Sequence, residues 1–168
     1  DSPWMASVEP TANPEGRVQW TPASYDPIAA KWLVSAVAPW QMDGVWAGSV
    51  GHDLVIDVLL QNHRQALPLA EQELLVFDRD GLLIASTLHA ERIAKAGGKL
   101  TIKDLDDARS LAALTVVTAH SDGAAHVDDA GDLVLIGRIT GPGWTTVTLA
   151  PTRQLTATVS QQFSYLRW

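Results

Sequence analysis

Residues 74–86 read LLVFDRDGLLIAS. Two apolar runs flank Arg79-Asp80-Gly81, and Asp-Gly supplies positive φ at little steric cost, so this stretch is a β-hairpin signal. The first strand extends back to Glu73 (ELLVFD, 73–78), and the second is LLIAS (82–86). Downstream, HAERIAKA (89–96) has helical character and is closed by Gly97-Gly98. Asp104 or Asp106 can cap a further helix over 107–120, where Leu111, Leu114 and Val117 form an apolar row. Three strands follow at 124–128, 132–139 and 143–150, turned by Ala130-Gly131 and Gly141-Pro142-Gly143. The order β-β-α-α-β-β-β predicts one antiparallel sheet with helices on one side, an α+β arrangement.

Upstream of the hairpin the pattern changes. Pro3, Pro10, Pro14, Pro22 and Pro27 punctuate the first thirty residues and preclude a long helix there. KWLVSAVAP (31–39) and VWAGSVGHD (45–53) read as strands joined at Asp43-Gly44. Gly48 and Gly51 suggest close backbone packing or a bulge. LVIDVLLQNHR (54–64) predicts a short helix ended by Pro68, with Asp53 placed to cap it. Leu155, Val159, Phe163 and Leu166 stand at helix-like spacing near the end of the chain.

Composition narrows the function. Of 168 residues, 46% are hydrophobic and 18% charged, which suits a folded core. The net charge of -7, with no Lys/Arg cluster, argues against a nucleic-acid partner. Zero cysteines exclude disulfides, thiolate zinc sites and cysteine nucleophiles. No apolar run approaches the roughly 18 residues of a membrane helix, and no signal peptide opens the chain.

Enzymatic signatures are missing, so the domain is expected not to be an enzyme and to need no cofactor. His52, His63, His89, His120 and His126 form no HxxxH, HxH or HExxH pair, so no metal site is expected. Asp104, Asp106 and Asp107 lack the glycine and terminal glutamate of a calcium loop. GSVGHD around Ser49 is not a nucleophile elbow, and adjacent His52 and Asp53 on a strand point to opposite faces. The seven tryptophans are unusual. Trp32, Trp46 and Trp144 read as core, whereas Trp20 and Tyr25 stand in a loop beside Asp26, as binding-loop residues do.

The words of the sequence go further. WTPASYDP (20–27), WLVSAVAP (32–39) and GSVGHDLVIDVLL (48–60) together resemble the end of the membrane-distal module of double Cache sensor domains. LLVFDRDGLLIAS and GPGWTTVTLAP (141–151) resemble the membrane-proximal module, and the likeness covers roughly residues 17–153. It implies a PAS-like module over 67–153, with its antiparallel sheet over about 73–151, preceded by a partial second PAS-like module over 1–66. An exit segment, 154–168, would lead toward a membrane helix. The long first helix and about half of the distal module that such domains carry are absent from this sequence.

The resemblance also implies a function and a site. The chain would be the periplasmic or extracellular small-molecule sensor of a bacterial inner-membrane receptor in signal transduction. A histidine kinase is the first expectation, in a two-component system, with a diguanylate cyclase or chemoreceptor next. Asp53 would receive the ammonium group of an amino acid or amine, with Tyr25 and Asp26 matching the family's Tyr-Asp element. Arg17 and Trp20 match its upstream Arg and Trp loosely. Against this stand three alternatives: Asp53 as a helix cap, a structural or protein-interaction module without a small ligand, and a small hydrolase. The isolated domain is expected to be a monomer or weak homodimer.

Overall fold

The computed structural model describes residues 3–66, 71–120, 125–128 and 131–155. The chain divides into two compact units, Asp1–Leu59 and Leu60–Trp168.

In the first unit, a short helix α1 (Pro3–Ala6) leads into turns. Asn13, buried, clamps one of them: its amide donates to the Arg17 carbonyl at 2.6 Å and its carbonyl accepts from the Arg17 amide at 3.1 Å. Two short strands, β1 (Gln19–Trp20) and β2 (Ser24–Asp26), precede the long strands β3 (Lys31–Met42) and β4 (Val45–Val55). Asp43 and Gly44 form the two-residue hairpin turn between β3 and β4, with φ of 53° and 78°. That doubly positive turn matches the twist of the flanking strands, and asparagine, aspartate and glycine adopt it most readily. Leu33 pairs with both Ser24 and Val55, and Val37 with both Gln19 and Gly51. β1 and β2 therefore share one edge of β3, and β4 occupies the other.

Two expectations about this unit change. The helix α2 spans Ile56–Ala66 rather than 54–64, because Leu54 and Val55 continue the β4 ladder opposite Val34 and Leu33. Asp53 thus lies within a strand and not at the helix N-cap. Close packing at Gly48 and Gly51 is also absent: a Cβ at either position would meet nothing within 4 Å. The bulge reading holds, since the register shifts between Trp40 and Gln41, beside Gly48.

The second unit has strands β5 (Glu73–Phe77), β6 (Leu83–Ser86), β7 (Ala125–Val127), β8 (Asp132–Ile139) and β9 (Trp144–Pro151). They form one antiparallel sheet in the order β6-β5-β9-β8-β7. Helices α3 (Ala90–Lys95) and α4 (Ala108–Ala119) connect the two strand groups, with a 3-10 turn at Ile102–Asp104 between them. The Asp78 carboxylate organises the first hairpin by accepting the Asp80 and Leu82 amides, each at 2.9 Å, and Gly81 takes φ of 82°. Leu75 and Phe77 from β5, Val134 and Ile136 from β8, and Val147 and Leu149 from β9 pack with Ile93, Ala113 and Val117 of the helices. These strand residues alternate, so one face of the sheet carries the helices. Leu74 and Val76 on the other face of β5 are buried too, which is why LLVF (74–77) reads as an unbroken apolar run.

Trp144 is buried as expected, while Trp32 and Trp46 are only half-buried and Trp40 is exposed. The exit segment is described only to residue 155, of which 152–155 are helical, and the rest of 154–168 lies outside the described residues. Among the described residues, no helix is long and apolar enough to cross a membrane.

Candidate functional site

β3 positions the residues picked from the sequence, and its register decides which can meet. Directly paired residues share a sheet face, and neighbours along a strand alternate. Tyr25 pairs with Trp32, and Trp20 pairs with Ala36, so both aromatics lie on the even-numbered face of β3. Asp53 pairs with Ser35 and Asp26 with Lys31, so both carboxylates lie on the odd-numbered face. The sheet brings Tyr25 against Trp32, with ring centroids 6.0 Å apart and planes tilted by 51°. It puts Asp53 on the opposite side from both Tyr25 and Trp20. His52 pairs with Ala36, and so it too lies on the face away from Asp53.

Each carboxylate has a local partner. Asp53 Oδ1 accepts the Ser35 hydroxyl at 2.6 Å at an exposed position. Asp26 Oδ1 accepts the amides of Ile28 at 2.7 Å and Ala29 at 3.2 Å, which builds the turn after β2. Arg17 is exposed and pairs with Glu15 at 2.5 Å. Around these residues the first unit exposes Tyr25, Ile28, Trp40, Val45 and Val50.

A second constellation lies in the other unit, and no sequence motif announces it. Glu73 opens β5 on the helix-facing side and is 0% exposed. Ser86 at the end of β6 accepts the amides of Leu88 at 3.1 Å and His89 at 3.0 Å, which sets His89 at the start of α3. The His89 ring makes no cap there. Its Nε2 instead stands 3.4 Å from Glu73 Oε1 and 3.3 Å from Asp107 Oδ2. Asp107 is the N-cap of α4, and its other oxygen accepts the Ser110 amide at 2.8 Å. Arg109 Nε, from the first turn of α4, meets Asp132 Oδ2 at 2.5 Å.

The electrostatics of this cluster are unbalanced. Burial and the neighbouring Asp107 charge push the Glu73 carboxyl up to about 7, against the opposing pull of the Arg109 charge. Burial also pushes the Asp107 carboxyl up, but the hydrogen bond from the Ser110 amide and the charge of His89 outweigh it and hold Asp107 below its ordinary value. A proton shared by the pair therefore resides on Glu73, and the charge on Asp107. Several polar atoms here are out of contact with solvent and have no hydrogen-bond partner: both Glu73 oxygens, His89 Nε2, Asp107 Oδ2, Ser110 Oγ and Arg109 Nη2. Such atoms each cost roughly 1–3 kcal/mol, so a group of them at one place calls for an explanation.

No protein-family model matches the chain, and no curated protein does. Solved structures do. The extracellular domain of mmHK1S-Z3, described as a histidine kinase, aligns at a TM-score of 0.61 and 16% identity, over 96% of this chain and 57% of that one. The sensory domain of the Campylobacter jejuni chemoreceptor Tlp3 (CcmL), with isoleucine bound, aligns at 0.57 and 14%, over 92% of this chain and 56% of that one. The extracellular domain of soHK1S-Z6, also described as a histidine kinase, aligns at 0.53 and 23%, over 84% and 51%. The chain thus spans a little over half the length of the solved domains it matches. Its fold is the α+β, PAS-like fold of Cache-type extracellular sensory domains, as the sequence led us to expect.

Proposed function

We propose that this chain is a non-catalytic ligand-sensing domain of an extracytoplasmic receptor, with a histidine kinase the first choice of output. The observation that carries the reading is the fold: a small antiparallel sheet, a connecting helix, then a five-stranded PAS-like sheet. The same fold serves extracellular domains of histidine kinases and the sensory domain of a chemoreceptor. A fold alone does not fix a function, so support must also come from a site. The first unit supplies one: an exposed carboxylate, Asp53, held by one serine hydroxyl. That leaves acceptor capacity for an ammonium group. A neighbour of this fold has isoleucine bound, which supports an amino acid or related amine as the ligand class.

The register gives the assignment a test with two arms. Asp53, with Asp26 on its side of the sheet, and the Tyr25–Trp20 pair lie on opposite faces. We assign the ammonium contact to the Asp53 face, with Arg17 the candidate for a ligand carboxylate. Calorimetry of the native chain with a panel of amino acids and amines is expected to find a ligand. Asp53→Ala is expected to weaken it at least tenfold, as loss of a charged hydrogen bond does. Tyr25→Ala should weaken it less than about threefold, since one sheet face does not line the other's pocket. Equal affinity in the native chain and Asp53→Ala would end this assignment. A loss confined to Tyr25→Ala would move the site to the other face. Light scattering at micromolar protein is expected to show a monomer or weak dimer, and a tight dimer would contradict that.

A further inference from the structure

Glu73, His89 and Asp107 come from three different elements and converge on one buried point. Their donor atoms all lie within 4.8 Å of one another. The two contacts made by His89 Nε2, at 3.4 Å and 3.3 Å, are long for hydrogen bonds between such groups. They fit a different geometry. In a tetrahedral site with bonds of about 2.0 Å, neighbouring ligand atoms are about 3.3 Å apart. The imidazole nitrogen already holds that separation from both carboxylates.

We propose that Glu73, His89 and Asp107 form a three-ligand site for a divalent transition-metal ion of tetrahedral preference, zinc being the class that fits. One imidazole and two carboxylates suit zinc among the divalent ions, whereas magnesium and calcium prefer shells made of oxygen alone. The charges agree as well. Two carboxylates and a neutral imidazole balance a 2+ ion, which removes the cost of burying unpaired carboxylates side by side. Independent support comes from Glu73 itself. Its side chain is fully buried, faces His89 and Asp107, and neither oxygen has a hydrogen-bond partner. The site is also braced. Ser86 fixes the start of α3, and the second oxygen of Asp107 is held by the Ser110 amide. Bracing of this kind orients metal ligands. Three protein ligands leave a fourth position for water or for a small anion.

The site ties β5 to the starts of α3 and α4, so a metal there would lock the helical layer onto the sheet. It belongs to the second unit, whereas Asp53 belongs to the first, and its test does not depend on the sensor reading. The 168-residue chain, stripped with a chelator, is titrated with zinc by calorimetry. One zinc per chain is expected. Cobalt loaded in its place should give the intense visible bands of a tetrahedral site. Asp107→Asn is the sharpest variant, because asparagine still caps the helix and only the anionic ligand is lost. It and Glu73→Gln should each weaken zinc by about 100-fold while leaving the circular dichroism unchanged. His89→Gln should abolish the tetrahedral cobalt spectrum.

The control is His120→Ala. His120 and His126 have ring centroids 3.5 Å apart and offer a competing pair of nitrogens. If zinc binding survives Asp107→Asn and Glu73→Gln intact, or disappears with His120→Ala, the site proposed here is wrong. Failure of the native chain to take up zinc at all would reject it equally.

Discussion

Leu75→Ala is expected to destabilise the second unit by about 3 kcal/mol, within the range measured for leucine truncations in packed cores. Leu75 is fully buried on the middle of β5. It pairs with Ser86 on one side and Val147 on the other, and it belongs to the cluster that holds α3 and α4 against the sheet. Removing three carbon atoms loses their transfer energy. It also leaves a void walled by two strands, which cannot collapse without breaking the ladder. Against a total of roughly 5–15 kcal/mol, that is a large fraction. Val50→Ala, at a position 59% exposed in the first unit, should change stability by less than about 0.5 kcal/mol. Amide hydrogen exchange of the β5 and β9 backbone, followed against denaturant, reads the second unit directly. A loss below 1 kcal/mol for Leu75→Ala would mean that the sheet and helices are not packed as described.

The second unit was more legible in the sequence than the first, and the reason is local. Asp80-Gly81 can make few structures other than a tight turn, and the apolar runs on each side need burial. The helices were legible in outline only: α4 is capped by Asp107 rather than by Asp104 or Asp106, and of the row Leu111, Leu114 and Val117 the first is exposed, because Ala113 and Val117 face the sheet instead. The α2 boundary differs from the expected one because Leu54 and Val55 satisfy either a strand or a helix. Only their pairing with β3 decides, and pairing is not local. The candidate residues illustrate this further. Tyr25, Asp26 and Asp53 were grouped by resemblance in sequence order. Whether two strand residues share a face depends on register, and one residue of slip reverses it. The cluster of Glu73, His89 and Asp107 lay beyond sequence reasoning altogether. Its members are sixteen and eighteen residues apart, and no spacing rule links the first residue of a strand to the starts of two helices. The one available hint was Glu73 itself, a carboxylate opening an otherwise apolar strand.

That carboxylate gives the second large effect, expected in protein kept free of metal by a chelator. Glu73 has its carboxyl raised from 4.5 to about 7 by burial and by Asp107. A raised carboxyl pKa means that folding favours the protonated form. Its stabilising contribution is fully present below the unfolded value near 4.5 and is lost as the pH rises through about 7. The gap corresponds to roughly 3 kcal/mol between pH 4.5 and pH 8, as an order of magnitude. Asp107, His89, Arg109 and Asp132 face or surround the same point. The quantity to measure is therefore the difference between Glu73→Gln and the native chain. Glutamine keeps the shape and cannot ionise. The variant should match the native chain near pH 5 and become the more stable of the two by pH 8. Adding zinc at pH 8 should reverse that order, because the ionised glutamate is then a ligand and glutamine is a poor one. A stability difference that stays flat from pH 5 to pH 8 in chelator would show that Glu73 is ionised throughout. Its burial against Asp107 would then have to be offset by a cation other than a metal, with Arg109 a candidate.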